Sequence, residues 1–137
     1  MLAFTLATEA DLDAIIGIAP AGAERRAAIA AHVAASECHI AWQDGVAVGY
    51  LVLTRTFFHS PFIELLVVTP ALRRTGIGRG LVEHCIGLTP PGEKLWTSTN
   101  KSNAAMRNLL PQLGFVESGG IDNLDPGDPE LVFVRLP

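Results

Sequence analysis

The sequence predicts a mixed α/β fold in which helices pack on one sheet. Two strand-like segments, Cys38–Gln43 and Val46–Thr54, flank Asp44-Gly45, a dipeptide typical of a tight β-hairpin. An apolar run over Phe62–Val68 stops at Thr69-Pro70, and a segment with helical spacing of apolar residues follows it. Strands and helices therefore alternate along the second half of the chain, as in an α/β sheet.

The first third of the chain predicts one strand and two helices. Met1–Ala7 alternates like a strand, and Thr8-x-x-Asp11 resembles a capping box that opens a short helix reaching about Ile18. Ala23–Ser36 predicts a second helix, because its apolar residues lie four apart with polar residues between them.

The second half adds two helices and three short strands. Gly76–Leu88 and Asn103–Leu113 have apolar residues at helical spacing, and Gly114 follows the second of them as a C-cap. The short strands are Lys94–Ser98, Phe115–Ser118 and Leu131–Leu136. The predicted order is β-α-α-β-β-β-α-β-α-β-β.

Length and composition favour a single domain over residues 1–137. Hydrophobic residues make up 49% of the 137, which is enough for a core and too many for a disordered chain. No uncharged apolar run reaches the roughly 18 residues of a membrane helix, and the N-terminus lacks the basic start of a secretory signal. Cys38 and Cys85 are too few for a disulfide framework. We expect a reduced, cytoplasmic protein without a membrane partner.

Positive charge is concentrated in one part of this acidic chain. Residues 73–107 hold six basic and two acidic side chains, so they carry +4 while the remainder carries −8. This pattern predicts a locally bound anion and no nucleic-acid partner, with a chance surface cluster as the alternative.

The segment after the Phe62–Val68 strand has the composition of a pyrophosphate-binding turn. It holds Arg73, Arg74, Gly76, Gly78 and Arg79. Glycines let the backbone approach a ligand, and a helix start offers N–H groups and the positive end of the dipole. The segment has no P-loop Gly-Lys-Ser/Thr, and Leu81 stands where the dinucleotide fingerprint needs its third glycine. An ordinary glycine-rich turn is the alternative.

Two motifs resemble the GNAT acyl-CoA N-acyltransferase superfamily. Arg73-x-x-Gly76-x-Gly78 resembles its Q/R-x-x-G-x-G/A signature, and Asn103–Phe115 resembles its later Asn-led helix that ends in Gly-Phe. The predicted element order also follows the GNAT order over essentially the whole chain. The resemblance implies the GNAT fold and an N-acetyltransferase that acts on a primary amine of a small molecule or peptide, as a monomer or homodimer.

The resemblance also implies acetyl-CoA, or another acyl-CoA, as the cosubstrate. Backbone amides over Arg74–Arg79 would hold its pyrophosphate, the end of the strand would pair with its pantetheine arm, and the amide of Val68 would receive the thioester carbonyl. Asn103 would contact the arm and can also cap its helix. The implied cofactor-binding residues are Val67, Val68, Arg73, Arg74, Thr75, Gly76, Ile77, Gly78, Arg79 and Asn103.

The chain departs from the superfamily at its usual general acid. A tyrosine often stands four residues before the Gly of the last helix, where this chain has Leu110, and the one tyrosine, Tyr50, is on the third strand. Pro111 predicts a kink or an early end of the helix. A catalytically weak acyl-CoA-binding module is therefore the alternative to an enzyme.

Glu64 and His59 are the candidate bases. Glu64 stands in an apolar run, where desolvation would favour proton uptake from an amine, although it could instead pair with an arginine or face solvent. His59 lies in an aromatic loop and could line the acceptor pocket or be an ordinary loop histidine. His84 is expected to be solvated, and no metal-ligand spacing is present.

One acidic segment remains. Gly120–Glu130 carries four acids and, with Trp96–Ser102, resembles a bacterial GNAT subgroup. It could form an acidic lip that attracts a cationic amine, with a solvated loop as the alternative.

Overall fold

A computed structural model describes residues 1–20 and 22–137 and confirms the predicted element order. The strands are β1 Leu2–Leu6, β2 Cys38–Gln43, β3 Val46–Phe57, β4 Ser60–Val68, β5 Leu95–Asn100, β6 Phe115–Ile121 and β7 Glu130–Arg135. The helices are α1 Leu12–Ile16, α2 Ala23–Ala34, α3 Ile77–Leu88 and α4 Ala104–Gln112. The fold is the mixed α/β sheet that the sequence predicted.

The seven strands form one sheet in the order β1-β2-β3-β4-β5-β7-β6. Strand β4 pairs with β5 in parallel through Phe62↔Trp96 and Ile63↔Thr97, whereas β1 with β2, β2 with β3, β5 with β7 and β6 with β7 are antiparallel. The helical crossover through α3 is what allows the parallel pair, because a tight turn can only reverse the chain.

Two tight turns with left-handed backbone shape the hairpins. Asp44 and Gly45 have φ of 50° and 82° and connect β2 to β3, as predicted. Strand β3 continues three residues beyond the predicted Thr54, and the chain reverses at Phe58 and His59, with φ of 52° and 63°. The sequence pointed to a longer loop here because Asn and Gly, the residues that favour such a turn, are absent.

The described chain forms two compact units: Met1–Leu53 with Leu65–Cys85, and Thr54–Glu64 with Ile86–Pro137. The first has a core that includes Ile15, Ile29, Cys38, Ile40 and Tyr50. The second buries Leu95, Leu110, Phe115 and Phe133. The single domain over residues 1–137 stays a prediction.

Helix α3 lies very close to the first strand. A Cβ built on Gly80 would come 2.8 Å from the ring of Phe4, so only glycine fits without movement. His84, one turn later, stacks on the same ring, with centroids 5.2 Å apart, and also contacts the ring of His39. The expectation that His84 is solvated was therefore wrong, because Phe4 covers the helix face that seemed polar. Burial lowers the pKa of His84.

Helix α4 runs through its proline. Asn103 caps it by accepting a hydrogen bond from the Met106 N–H at 3.2 Å, and the helix ends at Gln112, one residue earlier than predicted. Pro111 lies in the last turn, where its missing N–H affects only a bond to the carbonyl of Arg107.

No helix among residues 1–20 and 22–137 is long and apolar enough to cross a membrane.

Candidate functional site

The end of β4 directs one backbone amide away from the neighbouring strand. The Thr69 N–H donates to the Val48 carbonyl of β3 at 2.8 Å. Because successive N–H groups in a strand point to opposite edges, the N–H of Val68 points away from β3, and that of Val67 points towards it. Of the two valines, Val68 is therefore the one whose amide is directed away from β3.

The last four residues of β4 are apolar and only partly buried. Leu65 and Val67 pack against the core of the first unit. Leu66 and Val68 alternate to the opposite face, where both side chains lie near Gly78 of α3. Their partial exposure leaves an apolar surface beside the start of α3.

The turn into α3 has an irregular backbone and is exposed to solvent. Arg74 and Gly76 have φ of 65° and 92°, and the Thr75 hydroxyl donates to the Leu72 carbonyl at 2.5 Å. The Gly76 carbonyl accepts from the N–H of Gly80 at 3.0 Å, which is the first helical hydrogen bond. The N–H groups of Ile77 and Gly78, which precede it, have no carbonyl partner within the helix.

Gly78 leaves room for a ligand at the start of α3. A Cβ built on it would meet Val68 and Leu66 at 3.7 and 3.8 Å, which is ordinary contact, and its φ lies outside the left-handed range. Neither packing nor backbone therefore demands glycine here, in contrast to Gly76 and Gly80. A small residue at this point keeps the second N–H of α3 open to a ligand, so the described residues fit an anion at the helix start.

Three arginines give this turn its charge. Arg73 and Arg74 are exposed, and Arg79 lies 3.7 Å from Glu83 in an i,i+4 ion pair. The exposed guanidinium groups of Arg73 and Arg74 can donate the bidentate hydrogen bonds that phosphates accept. The structure brings the predicted residues Val67, Val68 and residues 73–79 together within the first unit.

The other three predicted site residues belong to the second unit: His59, Glu64 and Asn103. Glu64 is exposed, so the desolvation that the apolar run suggested is absent. It lies on the same face of β4 as Leu66 and Val68 because side chains alternate along a strand. Asn103 is exposed at the start of α4, and its cap uses only the amide oxygen.

An aromatic group surrounds the turn at His59. Phe57 stacks on Phe62 with centroids 4.8 Å apart and contacts Trp96 at 5.4 Å. Phe58 is 85% exposed and meets Phe57 edge to face at 5.1 Å. His59 is exposed beside this group and therefore does not belong to the core.

No tyrosine replaces the missing general acid among the described residues. Leu110 is fully buried in the second unit. Tyr50 is 2% exposed in the core of the first, where burial raises its pKa and a hydrogen bond with Arg25 opposes that rise. A phenol held in the core cannot reach a surface site.

A cavity of about 480 Å³ lies in the second unit between α4, β6 and β7. Its lining is Ala104, Arg107, Asn108, Pro111, Phe115, Val116, Glu117 and Phe133. None of the predicted site residues is among them. Within residues 1–20 and 22–137, no group of three or more His, Cys, Asp or Glu side chains could hold a metal ion.

Comparison with known families decides the family. The model of the acetyltransferase (GNAT) family matches residues 8–115. The chain belongs to this family. The match extends from the cap of the first helical turn to the start of β6, and it includes the glycine turn and the whole of α4.

Two curated relatives match part of the chain. The peptidyl-lysine N-acetyltransferase YjaB of Salmonella typhimurium is 33% identical over 82 residues, which are 60% of this chain and 51% of that protein. Its Escherichia coli K12 counterpart is 30% identical over 82 residues, which are 60% and 50%. The matched region therefore spans about half the length of these relatives.

Solved structures match nearly the whole chain. A GNAT family acetyltransferase from Bacillus cereus superposes with a TM-score of 0.91 at 33% identity, covering 99% of this chain and 97% of that one. The Escherichia coli ribosomal-protein-S18-alanine N-acetyltransferase has a TM-score of 0.80 at 23% identity, covering 99% and 94%. The second likeness shows the shared fold alone.

Proposed function

We propose that this GNAT protein is an N-acetyltransferase that uses acetyl-CoA to acetylate a primary amine. The observation that carries the proposal is the start of α3, where the N–H groups of Ile77 and Gly78, the exposed Arg73 and Arg74, and the small Gly78 meet beside the end of β4. When bound, acetyl-CoA supplies an acetyl group activated as a thioester. The chain's own residues have to bind it, orient it and remove a proton from the amine.

Binding would use backbone and arginines in different ways. The N–H groups of Ile77 and Gly78 and the helix dipole favour the pyrophosphate, and Arg73 and Arg74 add charge-assisted hydrogen bonds. The N–H of Val68 would orient the thioester carbonyl, because it points to the edge of β4 away from β3. A backbone donor fixed in a strand is well suited to stabilise charge that develops on that oxygen.

Deprotonation of the amine is assigned to Glu64, with His59 as the competing candidate. Glu64 lies two residues before Leu66 on the face of β4 that contacts Gly78. Its exposure favours proton transfer through a water molecule over direct abstraction by a desolvated carboxylate. His59 sits at the far end of the strand, in the exposed turn.

A lysine side chain of a peptide is the amine to test first. The relatives that match 82 residues of this chain are named peptidyl-lysine N-acetyltransferases. A small primary amine with the same alkyl chain is the comparison substrate, because it presents the same nucleophile without a peptide backbone.

The test combines binding with turnover. Calorimetric titration with acetyl-CoA should show micromolar affinity, and CoA release should be measured with lysine peptides and alkylamines. Glu64→Gln should lower kcat about 10²–10⁴-fold with little change in acetyl-CoA affinity. Glu9→Gln, an exposed carboxylate of the first unit, is the matched control. Tight binding without turnover on any amine would favour a binding module and overturn the proposal.

A further inference from the structure

The loop between β6 and β7 contains a rigid turn that ends in two aspartates. The Asp128 N–H donates to the Asp125 carbonyl at 3.0 Å, which closes a four-residue β-turn. Pro126 occupies its second position and Gly127, with φ of 80°, its third, as a type II turn requires. The turn therefore presents Asp125 and Asp128 in a fixed relation.

A second β-turn lies directly before α4. The Asn103 N–H donates to the Asn100 carbonyl at 2.9 Å, so residues 100–103 form a turn that delivers the chain from β5 to its helix. Asn103 is the last residue of this turn and the cap of α4. The orientation of its side chain consequently depends on how the turn is held.

The first turn and the following Pro129 form hydrogen bonds with each of the three residues that precede Asn103. The Asp128 carboxylate accepts from the Ser102 N–H at 3.0 Å and from the Ser102 hydroxyl at 2.6 Å. The Asp125 carboxylate accepts from the side-chain amide of Asn100 at 2.8 Å, and this amide also lies 3.3 Å from the Asp128 carbonyl. The Lys101 N–H donates to the carbonyl of Pro129 at 2.8 Å.

These contacts change the interpretation of the acidic segment. Both oxygens of the Asp128 carboxylate, and one of Asp125, are engaged by the turn before α4. A carboxylate held in this way is a poor attractor for a cationic amine, because its charge already supports backbone and hydroxyl donors. The acidic lip that the sequence suggested is thus, at these two residues, a structural contact.

We propose that Asp128 and Asp125 are positioning residues of the cofactor site, which act by fixing the turn that orients Asn103. The inference rests on the proposed function and on the contact between the Asn103 side chain and the cofactor arm that the GNAT resemblance implies. The cap engages the amide oxygen, so the nitrogen of Asn103 is the donor that would reach the cofactor. Release of the turn would leave the cap mobile and misdirect that donor.

The direction of the change in acetyl-CoA affinity distinguishes a positioning role from a simple effect of charge. Removing an acidic side chain from the loop makes the protein less negative, which by itself favours an anionic cofactor. Asp128→Ala is expected to weaken acetyl-CoA binding about tenfold, the lower end of what charge-assisted hydrogen bonds contribute. Asp122→Ala, an exposed acid of the same loop with the same change in charge, is expected to shift the affinity by less than about twofold.

Further measurements distinguish a positioning role from a general loss of stability. The Asp128→Ala variant should raise KM for acetyl-CoA more than it lowers kcat, and Asp128→Asn should restore most of the affinity, because its oxygen still accepts from the Ser102 N–H. In an Asn103→Ala background the Asp128→Ala effect should vanish. Hydrogen exchange at the Ser102 and Met106 amides should accelerate in ligand-free Asp128→Ala.

The outcomes are distinguishable. If the wild-type protein does not bind acetyl-CoA, the proposed function fails and this inference fails with it. If the wild type binds and Asp128→Ala binds equally well, the proposed function stands and only the positioning role is overturned. An undiminished Asp128→Ala effect in the Asn103→Ala background also overturns it. If Asp128→Ala does not fold, Ser102→Ala removes one bond of the pair and should weaken binding in the same direction.

Discussion

Gly78→Glu places a carboxylate at the second residue of α3, where the structure leaves room for a ligand. The new Cβ would lie 3.7 Å from Val68 and 3.8 Å from Leu66, so the chain itself accepts the substitution. The rest of the side chain has to extend into the space at the helix start. We expect this variant to separate folding from cofactor binding, because the same carboxylate affects them with opposite sign.

The ligand-free variant should be slightly more stable than the wild type. Replacing glycine inside a helix gains roughly 0.5 kcal/mol in propensity, and a carboxylate near the N-terminus gains about 0.3–1 kcal/mol from the dipole. The sum is about 1 kcal/mol. For a chain of this length that raises Tm by roughly 3–4 °C.

Binding should be lost by a much larger factor. Like charges 4 Å apart near a protein surface repel by about 4 kcal/mol, which exceeds the roughly 2.7 kcal/mol of a hundredfold change in Kd. At an acetyl-CoA concentration of 100 Kd, the wild type should gain about 2.7 kcal/mol, or about 8–10 °C in Tm. After a hundredfold rise in Kd the same concentration gives only about 0.4 kcal/mol, or 1–2 °C.

The assay is thermal unfolding with and without acetyl-CoA, supported by calorimetric titration. Gly87→Glu is the control: it adds the same charge to the same helix, at a position with nothing within 4 Å of its Cβ. Gly78→Ala is a second control and should bind almost normally, since a methyl group fits the space. A full acetyl-CoA shift in Gly78→Glu, equal to that of Gly87→Glu, would refute the location of the phosphate site.

Three further predictions follow from buried or strained side chains. Leu110→Tyr should destabilise the fold by about 1–3 kcal/mol through overpacking without raising turnover, because Leu110 is fully buried; an increase in kcat below neutral pH would contradict this. Burial, and then His84, lower the pKa of His39 below the ordinary 6.5, so the unfolded chain binds more protons, and Tm should fall as pH drops below about 6.5. His39→Leu should reduce this fall of Tm at acidic pH. If the dependence of Tm on pH is the same in His39→Leu as in the wild type, His39 is not the group responsible. The double substitution Phe58→Asn and His59→Gly should stabilise the left-handed turn by about 1–2 kcal/mol; unchanged turnover in this variant would remove His59 from the mechanism, and a lower Tm would contradict the assigned strain.

Most of the fold was predictable because its signals are local. The Asp44-Gly45 turn, the apolar run over Phe62–Val68 and the helical spacing after Gly76 each need only neighbouring residues to be recognised, and the structure confirms all three. The arginines and glycines of the candidate phosphate turn also lie within seven consecutive residues, 73–79. Asn103 shows the same principle, since a capping residue acts on an N–H only three residues away.

The features that sequence reasoning missed depend on contacts between distant residues. Asp128 and Ser102 are 26 residues apart, and nothing in either segment alone indicates that one carboxylate holds the other turn. Phe4 covers His84 across 80 positions of sequence, so helical spacing alone assigned that histidine to solvent. Glu64 lies in an apolar run and is nevertheless exposed. Successive side chains of a strand point to opposite faces of the sheet, so Ile63 can be buried while Glu64 faces solvent.

The ring of Phe4 touches Gly80 and His84 on successive turns of α3, and Gly80 is two residues from the glycine at the candidate phosphate site. His84 in turn contacts His39, and burial lowers the pKa of both imidazoles. Protonation of this pair and occupation of the helix start therefore act on one rigid helix. If protonation of the histidines weakens α3, thermodynamic reciprocity requires that a ligand which stabilises α3 opposes that protonation to the same degree. We expect acetyl-CoA to bind more weakly at pH 5.5 than at pH 7.5, and to release protons when it binds at pH 5.5. Titration in two buffers of different ionisation enthalpy measures that release, and its absence in His39→Leu would trace it to the histidines.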